Sequence, residues 1–284
     1  MTRVALLQAR TGIDPEANAK ALVAAVEEAA AGGAAMLFTP EMSGLLDRDK
    51  GRAAVHLRPA EEDPVLSAVR AAAARAGIWV HLGSLAVRRA DEPRLANRAF
   101  LIGADGEIRA TYDKLHLFDV DLPTGESWRE SASYAPGEAA VVAETPVGPL
   151  GLSVCYDLRF PDLYRALTDA GAKVIAIPAA FTVPTGRAHW DVLVRARAIE
   201  NQVFVIAAGQ VGRHPPDHES YGHSMIADPW GVVLASAGDE SEKVVVADLD
   251  LDTQAETRRK LPSLANRRPG AYRWPEPALQ GVAE

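Results

Sequence analysis

Cys155 is the only cysteine among 284 residues, and it stands where an apolar run turns into Cys155-Tyr156-Asp157-Leu158-Arg159-Phe160-Pro161. Residues 148–154 read as a strand, and Pro161 suits the first turn of a helix running to Gly171. A thiol at such a corner lies near backbone N–H groups at the positive end of a helix dipole, which favours the nucleophilic thiolate. The plainer alternative is a buried cysteine packing as a small hydrophobe. Two more ionisable groups of complementary type fall at element ends, far away in sequence. Glu41 follows Thr39-Pro40, and Lys114 sits in Tyr112-Asp113-Lys114-Leu115-His116. Glu41 and Cys155 each lie just past the carboxyl end of an expected strand, where α/β sheets place their ligands. Taken singly, a glutamate after proline or a lysine after aspartate is more often a solvated surface charge.

The elements that must bring these groups together alternate along the chain. Residues 4–8 form an apolar first strand rather than a signal peptide. Asp14-Pro15 caps and starts a helix that ends at Gly32, and Asp63-Pro64 repeats the signal for one that stops near Gly77. Strands are expected at 35–38 and 78–84, and a hairpin over 95–102 and 107–112 turns at Asp105-Gly106. Beyond Cys155 come a helix over 161–170, a strand over 173–180, a helix over 187–201 and a strand over 203–208. A second hairpin, 223–228 with 232–236, turns at Pro229-Trp230-Gly231, and a strand over 242–249 closes the run. The tail beyond Thr253 is rich in proline and arginine and is expected to wrap the surface or a partner subunit. No solenoid period and no low-complexity linker interrupt this order, so the chain reads as one domain, 1–284, with a core to about 250 and a tail over 251–284.

Composition narrows the function classes. With 48% hydrophobic residues the chain can bury a large core without staples, and one cysteine allows no internal disulfide, which suits a cytoplasmic location. No apolar stretch approaches 18 residues, so no membrane association is expected. A net charge of −8 argues against a nucleic-acid surface while leaving room for a locally basic pocket. His214, His218 and His223 loosely resemble metal-ligand spacing, but Pro215-Pro216 works against the helix such a pair would need. No metal and no cofactor are expected.

Glu41, Lys114 and Cys155, in that order with those flanks, resemble the carbon–nitrogen hydrolase (nitrilase) superfamily from Val4 to about Asp250. Asp113-Lys114-Leu115-His116-Leu117-Phe118-Asp119, the Cys155 motif and Tyr221-Gly222-His223-Ser224-Met225 are similar to the branch holding deaminated glutathione amidase and ω-amidase. Phe181-Thr182-Val183-Pro184-Thr185-Gly186 and Gly212-Arg213-His214 lean toward the former. The resemblance implies an α/β fold, a four-layer αββα sandwich, and an amidase working through an acyl-cysteine. Cys155 would be the nucleophile, Glu41 the general base and acid, Lys114 and the Tyr156 N–H the oxyanion donors, and Glu130 the carboxylate orienting Lys114. Asp121, Glu126 and Glu138 are other candidates for that last part. The substrate implied is a small amide ending in an α-keto acid, with Arg159, Arg187 or Arg213 meeting its carboxylate and Phe181 and Thr182 lining the pocket. Alternatives are an ω-amidase, a carbamoylase or other amidase, and a non-catalytic scaffold of the same fold. A homodimer or larger assembly is implied as well.

Overall fold

Strand β1 (Thr2–Gln8) shows how the layers arise: Val4 and Leu6 join one buried cluster, while Ala5 and Leu7 join another on the opposite face. That is the two-residue period of a strand buried on both sides. The computed structural model describes residues 1–121, 125, 127–215, 218–239 and 242–271. Glu126, Pro216 and the end of the tail, 272–284, lie outside the described residues.

The strands follow as β2 (Met36–Phe38), β3 (Trp79–Val87), β4 (Ala96–Ile102), β5 (Ile108–Asp113), β6 (Asp119–Asp121), β7 (Ser127–Arg129), β8 (Val141–Ala143) and β9 (Leu150–Leu152). Then come β10 (Val174–Ala176), β11 (Phe204–Ala207), β12 (Val211–His214), β13 (His218–Tyr221), β14 (Met225–Ala227), β15 (Val233–Ser236) and β16 (Lys243–Leu249). The helices are α1 (Pro15–Ala31), α2 (Lys50–Ala54), α3 (Pro64–Ala76), α4 (Pro161–Asp169), α5 (Val183–Asn201) and α6 (Leu251–Lys260).

One six-stranded sheet has the order β16-β1-β2-β3-β4-β5 and the other β15-β14-β11-β10-β9-β8. In each, the central strands run parallel (β1, β2 and β3; β9, β10 and β11) and antiparallel strands flank them. Helices α1 and α3 cover the outer face of the first sheet with Leu22, Val26, Leu66 and Val69. The inner faces of both sheets meet in the larger cluster, which also takes in Tyr164 of α4 and Trp190 of α5. The result is helix, sheet, sheet, helix. Removing one fully buried anchor such as Leu6 costs about 2–5 kcal/mol, because lost transfer energy and a cavity add.

Local chemistry explains the boundaries. Asp14 accepts the Glu16 and Ala17 N–H groups ahead of α1, Asp63 accepts that of Leu66 ahead of α3, and Gly77 ends α3 at φ 64°. Helix α5 begins four residues earlier than the sequence pattern suggests, since Pro184 sits in its first turn. The chain beyond Thr253 is at first helical: in α6, Gln254 Nε2 donates to the Lys173 and Gln202 carbonyls at 2.9 and 3.0 Å. Gly83 in β3 allows the sheets' loops to meet, because a Cβ there would sit 2.0 Å from the Thr39 carbonyl and 2.6 Å from the Pro178 side chain.

Candidate active site

The carboxyl ends of β2, β9 and β10 open at one end of the sandwich, and the chemistry-bearing residues stand there. Glu41 follows β2 through Thr39-Pro40, Lys114 directly follows β5, and Cys155 follows β9. All three are buried, at 4%, 2% and 8% exposure. Glu41 Oε1 accepts from Lys114 Nζ at 2.9 Å and from Asn97 Nδ2 at 2.9 Å, while Oε2 accepts the Ala180 N–H at 2.9 Å. One oxygen is therefore held by the first sheet and the other by the segment after β10 of the second. The Gln210 side chain ties the Glu41 carbonyl at 2.9 Å.

Glu130 opens a short 3₁₀ turn after β7 and brackets the ammonium from the other side, with Oε1 and Oε2 at 3.1 and 2.9 Å from Lys114 Nζ. The Phe118 N–H fixes its Oε2 at 2.7 Å. Burial works against the Lys114 charge, but Glu130 and then Glu41 outweigh it and lift its pKa well above the ordinary lysine value.

Cys155 is anchored by its own N–H to the Pro178 carbonyl at 2.8 Å and adopts φ 51°, a left-handed conformation that costs a non-glycine residue about 1–2 kcal/mol. Met42, next to Glu41, is held at φ 55°. The Glu41 carboxylate and the Ala180 N–H are the groups that act on the thiol besides Lys114. Burial, then the Glu41 carboxylate, push its pKa well above the ordinary value, with Lys114 pulling the other way. The sequence reading expects a helix terminus to favour the thiolate. The structure instead gives Cys155 a five-residue 3₁₀ turn and a buried carboxylate neighbour, so the resting group is the thiol.

Two residues unassigned in the sequence reading complete this floor. Asn97, the second residue of β4 and 1% exposed, divides its amide protons between Glu41 Oε1 at 2.9 Å and Glu130 Oε1 at 3.2 Å. Asp157, fully buried, accepts from Tyr112 Oη at 2.7 Å, Val154 N at 2.8 Å and His116 N at 3.0 Å, with His116 Nδ1 at 2.7 Å. It thereby bolts the Cys155 corner to the segment that carries Lys114. A polar residue inside an apolar strand was the available signal for Asn97, as was an acid two residues past the cysteine for Asp157.

Above the floor opens a cavity of about 490 Å³, within the range of small-molecule sites. Tyr156, Arg159, Phe181 and Thr182 line it. Arg159 lies over the Phe181 ring at 5.4 Å and meets His189 Nδ1 at 3.2 Å. Arg187 and Arg213 are exposed and do not line the cavity. Asp121 accepts from Arg129 Nη2 with both oxygens, and Glu138 is exposed, so neither partners Lys114. Among the described residues no cluster of His, Cys, Asp and Glu could hold a metal ion, and no helix is long and apolar enough to cross a membrane.

Comparison with known proteins gives this geometry a context. Residues 3–259 match the carbon-nitrogen hydrolase family. Proteins named deaminated glutathione amidase from Yersinia enterocolitica and Homo sapiens are each 40% identical to the chain, over 93% and 95% of it and 92% and 83% of their own lengths. Among solved structures, the C. elegans NitFhit protein aligns with a TM-score of 0.89 at 36% identity, covering 96% of this chain and 66% of that one. Saccharomyces cerevisiae Nit3, described as a member of branch 10 of the nitrilase superfamily, aligns with a TM-score of 0.84 at 27% identity over 94% and 96%.

Proposed function

The chain belongs to the carbon–nitrogen hydrolase family and is an amidase acting on C–N bonds, and from that premise we propose that it splits deaminated glutathione into α-ketoglutarate and cysteinylglycine. Cys155, Glu41, Lys114 and Glu130 are its catalytic set in this reading. The observation that carries it is the Glu41 carboxylate, held between Lys114 Nζ and the Ala180 N–H with the Cys155 thiol against it.

An amide is a weak electrophile, so a covalent route through sulfur divides one difficult step into two. Glu41 takes the thiol proton as Cys155 Sγ bonds to the amide carbon. A high thiol pKa suits this order, since the proton leaves as the C–S bond forms and not before. Negative charge then develops on the former carbonyl oxygen, facing Lys114 and the Tyr156 N–H. Such a donor is worth about 3–4 kcal/mol when preorganised. Lys114 already gives hydrogen bonds to Glu41 and to both Glu130 oxygens, so the oxyanion replaces one of them while Glu130 keeps the ammonium charged. Collapse breaks the C–N bond, and Glu41 returns the proton to the departing amine. Water enters, Glu41 takes its proton, and attack on the thioester breaks the C–S bond. The keto acid leaves and Cys155 regains its proton.

Arg159, beside Phe181 and Tyr156, meets the carboxylate of the keto-acid end in this reading. Residues 1–284 act as one catalytic domain. A cytoplasmic homodimer or larger assembly completes the proposal, supported by exposed Val192 and Ile199 on α5 and exposed Trp230 and Val232 beside them; a clean monomer on sizing contradicts that part. The test is α-ketoglutarate release from deaminated glutathione and from α-ketoglutaramate, with Cys155→Ala as the blank. Preference for the first is the expected result. Preference for α-ketoglutaramate would make the chain an ω-amidase, and activity on neither would send the search to other amides.

A further inference from the structure

The aromatic side chains of the cavity form a row with an arginine at each end. Trp128 packs on Phe118 at 5.8 Å between ring centres, and Phe118 packs on Tyr156 at 5.1 Å. The Arg159 guanidinium lies 5.9 Å from the Tyr156 ring, at the nucleophile's end, and the Arg48 guanidinium lies 4.2 Å from the Trp128 ring, at the other. Their charges differ from those of two other lining cations, Lys114 and Arg129. Lys114 is bracketed by Glu41 and Glu130, and Arg129 is paired with Asp121. Arg48 and Arg159 have no carboxylate partner among the described residues. The acids flanking Arg48 are taken: Asp47 carries the fork of Arg52 at 2.6 and 2.8 Å, and Asp49 accepts the Arg52 N–H at 3.0 Å ahead of α2.

A guanidinium stacked on an indole is held in orientation by the ring face, while its N–H edge stays available for a carboxylate fork. Resting on the amidase reading above, we infer that Arg48 binds a carboxylate on the amine side of the scissile bond. The preferred leaving group is then a short peptide with a free C-terminal carboxylate, and not ammonia. The substrate lies as a dianion, its keto-acid end on Arg159, its reacting carbonyl over Cys155, and its peptide end along Phe118 and Trp128 toward Arg48. Glu41, which hands the amine its proton, belongs to the same chain segment as Arg48, so the leaving group departs on that side.

The experiment compares deaminated glutathione with its C-terminal amide, identical except that the terminal charge is gone, in wild type, Arg48→Gln and Arg48→Lys. Wild type should prefer the acid by about tenfold or more in kcat/KM, the scale of one charge-assisted hydrogen bond. Arg48→Gln should erase that preference by raising KM for the acid, and Arg48→Lys should keep part of it, since charge is retained and the fork is lost. If Arg48→Gln lowers both substrates equally, or leaves the acid unaffected, the inference is overturned. So it is if wild type handles acid and amide alike, which leaves the proposed activity standing. Wild type inert toward both but active on α-ketoglutaramate would overturn the proposed activity and this inference together.

Discussion

The floor of the cavity and its rim are built on opposite principles. On the floor every charge is answered: Lys114 contacts two carboxylates, Asn97 bridges the same two, and Ala180 and Phe118 fix their remaining oxygens. On the rim, Arg48 stacks on one ring and has no carboxylate among the described residues. A group that must move protons needs a fixed environment, because its proton affinity follows its neighbours. A group that must capture a ligand's charge needs that charge unanswered. The contrast predicts that floor substitutions act on kcat and on stability together, whereas rim substitutions act on KM.

The sharpest break is at the reacting atoms. Cys155→Ala and Glu41→Gln should each abolish turnover, a fall of about 10⁴-fold or more as for other covalent sets, with circular dichroism unchanged; residual activity in Cys155→Ala would sink the acyl-cysteine route. Lys114→Met should silence the enzyme and also cost about 3–5 kcal/mol in urea unfolding, because two buried carboxylates lose their cation. Full activity would remove Lys114 from the mechanism, and wild-type stability would mean the carboxylates protonate at little cost. Asn97→Leu should lower kcat about ten- to a hundredfold with KM little changed, the scale of a hydrogen bond to a charged group. An effect on KM alone would move Asn97 out of the floor.

A pH series sharpens the comparison further. The Cys155 pKa is raised above its ordinary 9.0 in the folded state, so the stability it contributes is complete below pH 9 and fades as pH climbs past that point toward the folded value. The urea midpoint of wild type should therefore fall more steeply than that of Cys155→Ala between pH 8 and pH 10.5. Parallel curves would place the thiol in an unperturbed site. The smallest effect is expected at the surface ion pair of Asp121 and Arg129, both exposed: Asp121→Asn should change stability by less than about 1 kcal/mol.

Sequence reveals the floor and rim unequally. Glu41, Lys114 and Cys155 are legible because each falls at a strand end and the three together resemble one family's set, although singly each reads as an ordinary surface or core residue. The capped helices α1 and α3 and the hairpin of β4 and β5 are legible because their apolar pattern and turn residues are local. Asn97 is not, since a polar residue in a strand declares only that it has a partner, and that partner lies 56 residues away at Glu41. Nor is the direction of the Cys155 shift: the motif shows a turn, while burial and the carboxylate beside it exist only once two sheets meet. Arg48 reads as one more surface charge until Trp128, 80 positions on, comes beneath it.

Glu41 hangs from one sheet by its backbone and is tied to the other through Ala180. Hydrolysis thus works as a caliper on the gap between two slabs, each able to keep its own ladder intact. Heat, pressure or solvent that loosens the seam without melting either slab will take the reaction away first. Turnover is therefore expected to fall as the layers part, before strand and helix are lost.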